Sequence, residues 1–193
     1  MGLFRKNFST KSDEELMLLL THGGQSAFDE LYNRYSKPLL NFFFRMLNGD
    51  RAKAEDFLHD SFMKIIEKPE SFDRTKKFNT WFYTVASNMI KNEYRSQQIR
   101  SEYEKQKLIN TQELFELNGE SFDKNLFNKR LESELNKMDI EFKMIFNLRF
   151  LEEKSINQIA EIINCPEGTV KSRLFYLTKQ LSKKLSSYKP ELN

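Results

Sequence analysis

With 193 residues, 39% of them hydrophobic, the chain is long enough for one large or two small domains with compact cores. The 31 Lys and Arg against 28 Asp and Glu leave a net charge of only +3, so any nucleic-acid-binding surface has to be local. Cys165 is the single cysteine, which excludes an internal disulfide and a cysteine-based zinc site; His22 and His59 are far apart and show no ligand pattern, so neither metal nor cofactor is expected.

The longest apolar run, Leu16 to Leu20, is too short to span a bilayer, and Asp13, Glu14 and Glu15 separate it from Arg5 and Lys6, unlike a secretory signal. A cytoplasmic protein without membrane insertion is the expectation. Only 6 Gly and 4 Pro interrupt long helical patterns, and no useful strand alternation occurs, so the predicted fold is all-α.

Residues 1–11 form a polar, basic lead-in, expected to be disordered. Ser12 and Glu15 make a capping box that opens a helix through about Thr21, and Gly23-Gly24 ends it. Phe28, Leu31, Tyr32, Tyr35, Leu39, Phe42, Phe43 and Met46 recur at helical spacing as core positions, with a kink or break expected near Ser36 because of Pro38. Asn48-Gly49-Asp50 stops that helix and caps the next, about Arg51 to Glu67. In this third helix Ala54, Phe57, Leu58, Ser61, Phe62, Ile65 and Ile66 face inward, leaving Glu55, Asp56, His59 and Asp60 on a polar, mostly acidic face. On physical grounds alone that face is also what a solvated helix surface looks like.

A turn-rich loop, Pro69 to Asp73, leads to Arg74, Lys76, Lys77, Phe78 and Asn79, and then to a helix over Thr80 to Arg95. Trp81, Val85, Met89 and Ile90 are candidate core positions; Asn88, Lys91, Asn92 and Arg95 make a polar, basic flank. Cations, amides and aromatics interleaved in this way suit single-stranded DNA, which needs a positive track, flat surfaces for stacking and hydrogen bonds to unpaired base edges. From Ser96 to about Leu131, Gln, Asn and acidic residues dilute the apolar pattern, and a flexible linker containing the domain boundary is expected. Leu135, Met138, Phe142, Ile145, Phe146, Leu148 and Phe150 then form an apolar set, with Arg149 beside it in a position to touch phosphate.

The last segment, Ser155 to Leu185, reads as a helix-turn-helix. Ser155 caps a short helix carrying Ile156, Ile159, Ala160 and Ile163; Asn164 tolerates a left-handed backbone, and Pro166 suits the opening of the next helix. Val170, Leu174, Leu177, Leu181 and Leu185 make one apolar stripe. Lys171, Ser172, Phe175, Tyr176 and Lys179 lie on the opposite side, with Thr169 and Arg173 nearby, a combination suited to phosphates and base edges in a major groove. A plain helical hairpin with a solvated Lys-rich face has much the same composition.

Three motifs carry a resemblance. Asn164-Cys165-Pro166-Glu167-Gly168-Thr169-Val170-Lys171-Ser172-Arg173-Leu174 resembles region four of bacterial sigma factors, above all the extracytoplasmic-function group. Ala54-Glu55-Asp56-Phe57-Leu58-His59-Asp60-Ser61-Phe62 resembles the region-two signature, with His59 at a position often held by Gln. Phe72 to Asn88 resembles regions 2.3 and 2.4; Ser87 stands where the family often has a basic residue, and Asn92 where it often has Asp.

The resemblance implies a two-domain protein: region two over 12–96, a linker over 97–130 and region four over 131–188. It implies core RNA polymerase as partner, through the β′ clamp helices, met by Glu55, Asp56, His59 and Asp60, and through the β flap. It also implies minus-ten contacts by Lys77, Phe78, Asn79, Trp81, Asn88, Lys91, Asn92 and Arg95. Minus-thirty-five contacts would fall to Arg149, Thr169, Lys171, Ser172, Arg173, Phe175, Tyr176 and Lys179. An anti-sigma factor is a further implied partner, and the linker would thread the channel that RNA later occupies. No Ser/His/Asp set, Gly-rich phosphate loop or paired-acid pocket is present, so an enzyme is not expected. A helix-turn-helix regulator and a helical protein-binding scaffold are the competing readings.

Overall fold

The computed structural model describes residues 8–105 and 124–186, all helical apart from turns and connections. The expected disorder of 1–7 and most of the expected linker lie outside these residues. Four helices form the front half: α1 (Asp13–Leu20), α2 (Gln25–Met46), α3 (Arg51–Glu67) and α4 (Phe78–Lys105), with a 3-10 turn at Pro69–Ser71. The rear half has α5 (Lys124–Asn136), α6 (Ile140–Phe146), a π turn at Asn147–Leu151, α7 (Ile156–Ile163) and α8 (Glu167–Leu185).

Local chemistry explains the boundaries. Ser12 and Glu15 close a reciprocal capping box on α1, and Ser155 and Gln158 do the same on α7. Asp50 caps α3 by accepting from Lys53 N (3.0 Å). Asn164 adopts φ 56°, and the Cys165 and Asn164 amides return to Ala160 O and Glu161 O, so α7 ends in a Schellman turn. Pro166 then sits at the N-cap of α8.

Four expectations need correction. The second helix runs unbroken through Pro38. Leu31, Tyr35, Leu39 and Phe42 are buried on both sides of the proline, and that packing outweighs a backbone penalty of about 3 kcal/mol. The fourth helix continues ten residues past Arg95 to Lys105; the extension is polar but contains neither Gly nor Pro, so nothing in it stops a helix. Tyr32, Ile66 and Phe150, placed in the core from their spacing, are exposed. Phe8 to Lys11 are also not a free lead-in: Arg34 donates to the carbonyls of Phe8, Ser9 and Lys11 and pairs with Asp13 and Glu30.

The front core is built from aromatic edges. Phe82 lies 5.2 Å from Phe62, 5.3 Å from Phe78 and 5.7 Å from Tyr35, centroid to centroid. Met144, Ile145, Leu148, Ile159, Ile162 and Ile163 of the rear half join the same cluster. A second cluster of Leu135, Leu177, Leu181 and Leu185 fastens α5 to α8.

Glu134 reinforces that second junction. Its side chain is 3% exposed and ion-paired with Lys184 (2.7 Å), Lys137 (3.0 Å) and Arg130 (3.4 Å). The Lys184 ammonium, then Lys137, holds the carboxyl well below its ordinary 4.5, at about 2. A depressed acid stabilises the fold above its unfolded pKa, and this contribution disappears as pH falls through the folded one. Glu134→Gln is therefore expected to destabilise the chain by a constant amount from pH 7 down to about 5. The difference should shrink as pH drops from 4.5 toward 2. Urea titrations across that range check this; a pH-independent difference would assign Glu134 to packing alone.

Candidate nucleic-acid and polymerase interface

Glu55, Asp56, His59 and Asp60 are all exposed, on one face of α3, because Ala54, Leu58, Ser61, Phe62 and Ile65 turn the opposite face into the core. Arg51 pairs with Glu55 (2.9 Å) at the rim, both well exposed. A surface-exposed pair of this kind stabilises little, so the face keeps its acidic character.

The second candidate surface centres on α4. Lys77, Asn88, Asn92 and Arg95 are exposed. Trp81 is half-buried, packed against Phe72 (5.3 Å) and Phe78 (5.7 Å). Phe78 itself is fully buried, in contact with Tyr35 and Phe82, and its N–H donates to Glu14 (3.1 Å). Its assignment to DNA contact is therefore corrected: it is the pin that holds the loop to the core. Asn79 and Lys91 are occupied. Asn79 donates to the Tyr35 hydroxyl (3.4 Å) and accepts from Lys154 (2.6 Å), while Lys91 donates to the Ile163 carbonyl (2.8 Å) at the end of α7. A cation at the carbonyl end of a helix is favourably placed.

The third surface is the outer face of α8. Val170, Leu177, Leu181 and Leu185 are buried and Leu174 half-buried, which leaves Lys171, Ser172, Phe175, Tyr176 and Lys179 in solvent. Phe175 is 62% and Tyr176 64% exposed, in edge contact at 5.9 Å, with Lys179 Nζ above the Phe175 ring. Two large aromatics exposed to this degree, side by side on a basic helix, have no packing role among the described residues. Thr169 is half-buried, Arg173 is held by Glu141 (2.6 Å), and the exposed Arg149 donates to Lys154 O (3.0 Å).

Reasoning from sequence missed the polar network between the halves. Arg45 of α2 donates to Asn147 Oδ1 (2.7 Å) and pairs with Glu152, which also accepts from the Tyr83 hydroxyl. Lys154 lies over the Tyr83 ring at 4.2 Å, and Lys143 donates to Asn48 Oδ1 (2.6 Å). Burial, then the neighbouring Glu152, pushes the Tyr83 phenol far above its ordinary range; burial brings Lys143 down to about 8 and lowers Lys154 as well. The π turn and Glu153, at φ 52°, turn Glu152 and Lys154 toward the front half. No periodicity announces such a turn, although a Lys in the buried face of α6 is a signal that it needs a partner. Among the described residues, no helix is long and apolar enough to cross a membrane, and no group of three His, Cys, Asp or Glu is placed to hold a metal ion.

Comparison with known proteins places both halves of the chain in one family. Residues 31–99 match Sigma-70 region 2, and residues 128–176 match Sigma-70, region 4. The chain is 30% identical over 183 residues to the ECF RNA polymerase sigma-E factor of Haemophilus influenzae, covering 90% of this chain and 95% of that protein. It is 27% identical over 172 residues to the ECF RNA polymerase sigma factor SigW of Bacillus subtilis, covering 84% and 91%. The fold resembles that of CnrH solved with the cytosolic domain of CnrY, with a TM-score of 0.68 at 19% identity, covering 91% of this chain and 97% of that one. It also resembles the sigma factor RpoE of Bartonella quintana solved with the anti-sigma factor NepR, with a TM-score of 0.60 at 23% identity, covering 82% and 96%. The chain belongs to the extracytoplasmic-function family of RNA polymerase sigma factors. Its work is transcription initiation, and it is not an enzyme.

Proposed function

We propose that the chain divides initiation among its three surfaces. The acidic face of α3, with Glu55, Asp56, His59 and Asp60, docks on the β′ clamp helices of core polymerase, and the rear half meets the β flap. The basic flank of α4, with Lys77, Asn79, Trp81, Asn88, Lys91, Asn92 and Arg95, captures the melted minus-ten strand. Unpairing costs a few kcal/mol, offset by contacts available only once the strands have parted. Helix α8 reads the minus-thirty-five duplex with Lys171, Ser172, Phe175, Tyr176 and Lys179, supported by Thr169, Arg173 and Arg149. The observation that carries the reading is the bare aromatic and basic face of α8. Joining two weak DNA contacts in one chain makes the second effectively intramolecular. We place the protein in the cytoplasm with the polymerase. An anti-sigma factor is a proposed partner, since the similarly folded sigma factor RpoE of Bartonella quintana was solved with the anti-sigma factor NepR.

Run-off transcription with purified core polymerase tests the proposal: a defined start site should appear only when the protein is added. Lys171→Ala combined with Ser172→Ala is expected to reduce initiation by about 10- to 100-fold on promoters that need the upstream element, each good base contact carrying about 1–3 kcal/mol. Binding to core polymerase alone should be unchanged. An equal loss of core binding would remove α8 from DNA reading.

A further inference from the structure

The acidic first turn of α1 reaches the start of α4 at two points. Glu14 accepts from the Phe78 N–H (3.1 Å), which fixes the backbone just before Asn79. Asp13 reaches the Asn79 side chain through Tyr35, whose hydroxyl donates to Asp13 Oδ2 and accepts from Asn79 Nδ2 (3.4 Å). Each step of this relay has one direction. Asp13 is a carboxylate whose other oxygen, Oδ1, takes Arg34 Nη1 (2.7 Å), so it only accepts. Arg34 is in turn held by Glu30 and by the carbonyls of Phe8, Ser9 and Lys11. Burial, then Asp13, pushes the Tyr35 phenol far above its ordinary range, and its one proton is directed at Asp13. The buried Tyr35 oxygen therefore offers Asn79 only lone pairs, and the amide meets it with its NH2 end. Lys154, a pure donor, agrees with this polarity by meeting Asn79 Oδ1 (2.6 Å).

Held to the front core by its NH2 end, the Asn79 amide presents an acceptor outward. The exocyclic group that such a side chain meets is an amine on adenine and cytosine and a carbonyl on guanine and thymine. An amine donates to the waiting oxygen, whereas a carbonyl sets two acceptors against each other and leaves both unpaired. We propose that Asp13 and Tyr35 are positioning residues for minus-ten recognition: by fixing the polarity of the Asn79 amide, they make it prefer an amino base, A or C, to a keto base, G or T, at one position of the captured strand. The inference rests on the assignment of Asn79 to minus-ten contact. Asp13 and Tyr35 act through Asn79 and belong to none of the three surfaces themselves.

The test is run-off with core polymerase on a promoter selected from random DNA by the unsubstituted full chain, with each base placed in turn at every minus-ten position. All proteins compared carry Lys154→Met, which leaves Tyr35 as the side chain that sets the amide. This background is expected to favour A or C over G and T by about tenfold at one position. Adding Asn79→Ala should abolish that preference. Adding Tyr35→Phe keeps the core ring, removes the hydroxyl, and should reduce the preference to about twofold or less. Adding Asp13→Asn should reverse it. Arg34 demands the oxygen of the new amide, whose NH2 then faces Tyr35; the Tyr35 proton turns to Asn79, which is left presenting its own NH2 outward. Loss of packing alone cannot produce a reversal. Affinity for core polymerase should be the same throughout. A preference for A or C that persists in either variant, a background preference for G or T, or an equal fall in run-off with every base overturns the inference alone. If Asn79→Ala leaves every preference in place, the assignment of Asn79 to minus-ten contact falls and the inference with it.

Discussion

Asp56→Arg is expected to weaken binding to core polymerase by about two orders of magnitude, because reversing the charge at the centre of the proposed docking face juxtaposes like charges at a cost of several kcal/mol. Asp56 is well suited to the test. It is exposed, lies in the middle of the acidic face of α3, and takes part in no hydrogen bond or ion pair described for the fold. The helix around it is anchored from the other side by Ala54, Leu58, Phe62 and Ile65, all buried, and by the Asp50 cap. The fold should therefore survive the substitution: the circular dichroism spectrum and denaturation midpoint should match those of the parent protein, surface changes of this kind usually altering stability by no more than about 0.5 kcal/mol. Fluorescence anisotropy of labelled protein titrated with core polymerase gives the affinity. If the proposed docking through the acidic face holds, the parent protein should also bind more weakly as salt rises, and the variant should show a flatter dependence. Unchanged affinity would move the polymerase contact elsewhere on the front half.

Phe82→Ala carries the largest expected effect on stability. The ring is fully buried and touches Tyr35, Phe62, Phe78 and Trp81. Removing it leaves a cavity bounded by stiff aromatic rings that cannot collapse to fill it, so the cost should fall near the upper end of the range for Phe→Ala, about 3–5 kcal/mol. Against a typical total of about 5–15 kcal/mol, that is a large fraction of the whole. Phe78 and Trp81 both rest on Phe82, and Asn79 lies between them in sequence, so loosening the cluster also disturbs the residues proposed to capture the melted minus-ten strand. Minus-ten opening, followed by permanganate footprinting of unpaired thymines, should fail at temperatures where α8 still binds the upstream duplex. A loss of less than about 1 kcal/mol would mean that the aromatic cluster relaxes, and that its tight edge contacts are not what holds the loop.

Much of this was legible in the residues. Capping chemistry is local, and Ser12, Asp50, Ser155 and Asn164 all do what their types and positions suggest. The exposed faces of α3 and α8 follow from 3.6-residue periodicity, since a helix that buries one stripe has to present the opposite one. Errors arose where neighbours outside the segment decide. Spacing alone places Ile66 and Phe150 on apolar stripes, but no element among the described residues covers them. Phe78 looked like a residue available to DNA because it stands among cations, whereas its buried ring packs on Tyr35, Phe72 and Phe82. The run beyond Arg95 looked like linker because it is polar, yet polarity does not break a helix.

The chain's own order of residues settled the helical class, the turn of the helix-turn-helix, the acidic and basic faces and the family, because each depends on neighbours within a few residues or on a short motif. Tertiary packing alone decided that Arg45, Tyr83, Glu152 and Lys154 meet, that Asn79 and Lys91 are engaged by the other half, and that Phe78 points inward. These are contacts between residues 69 to 107 positions apart in most cases. They exist only because two separately patterned halves are brought together, and no local periodicity encodes which surface of one will face the other.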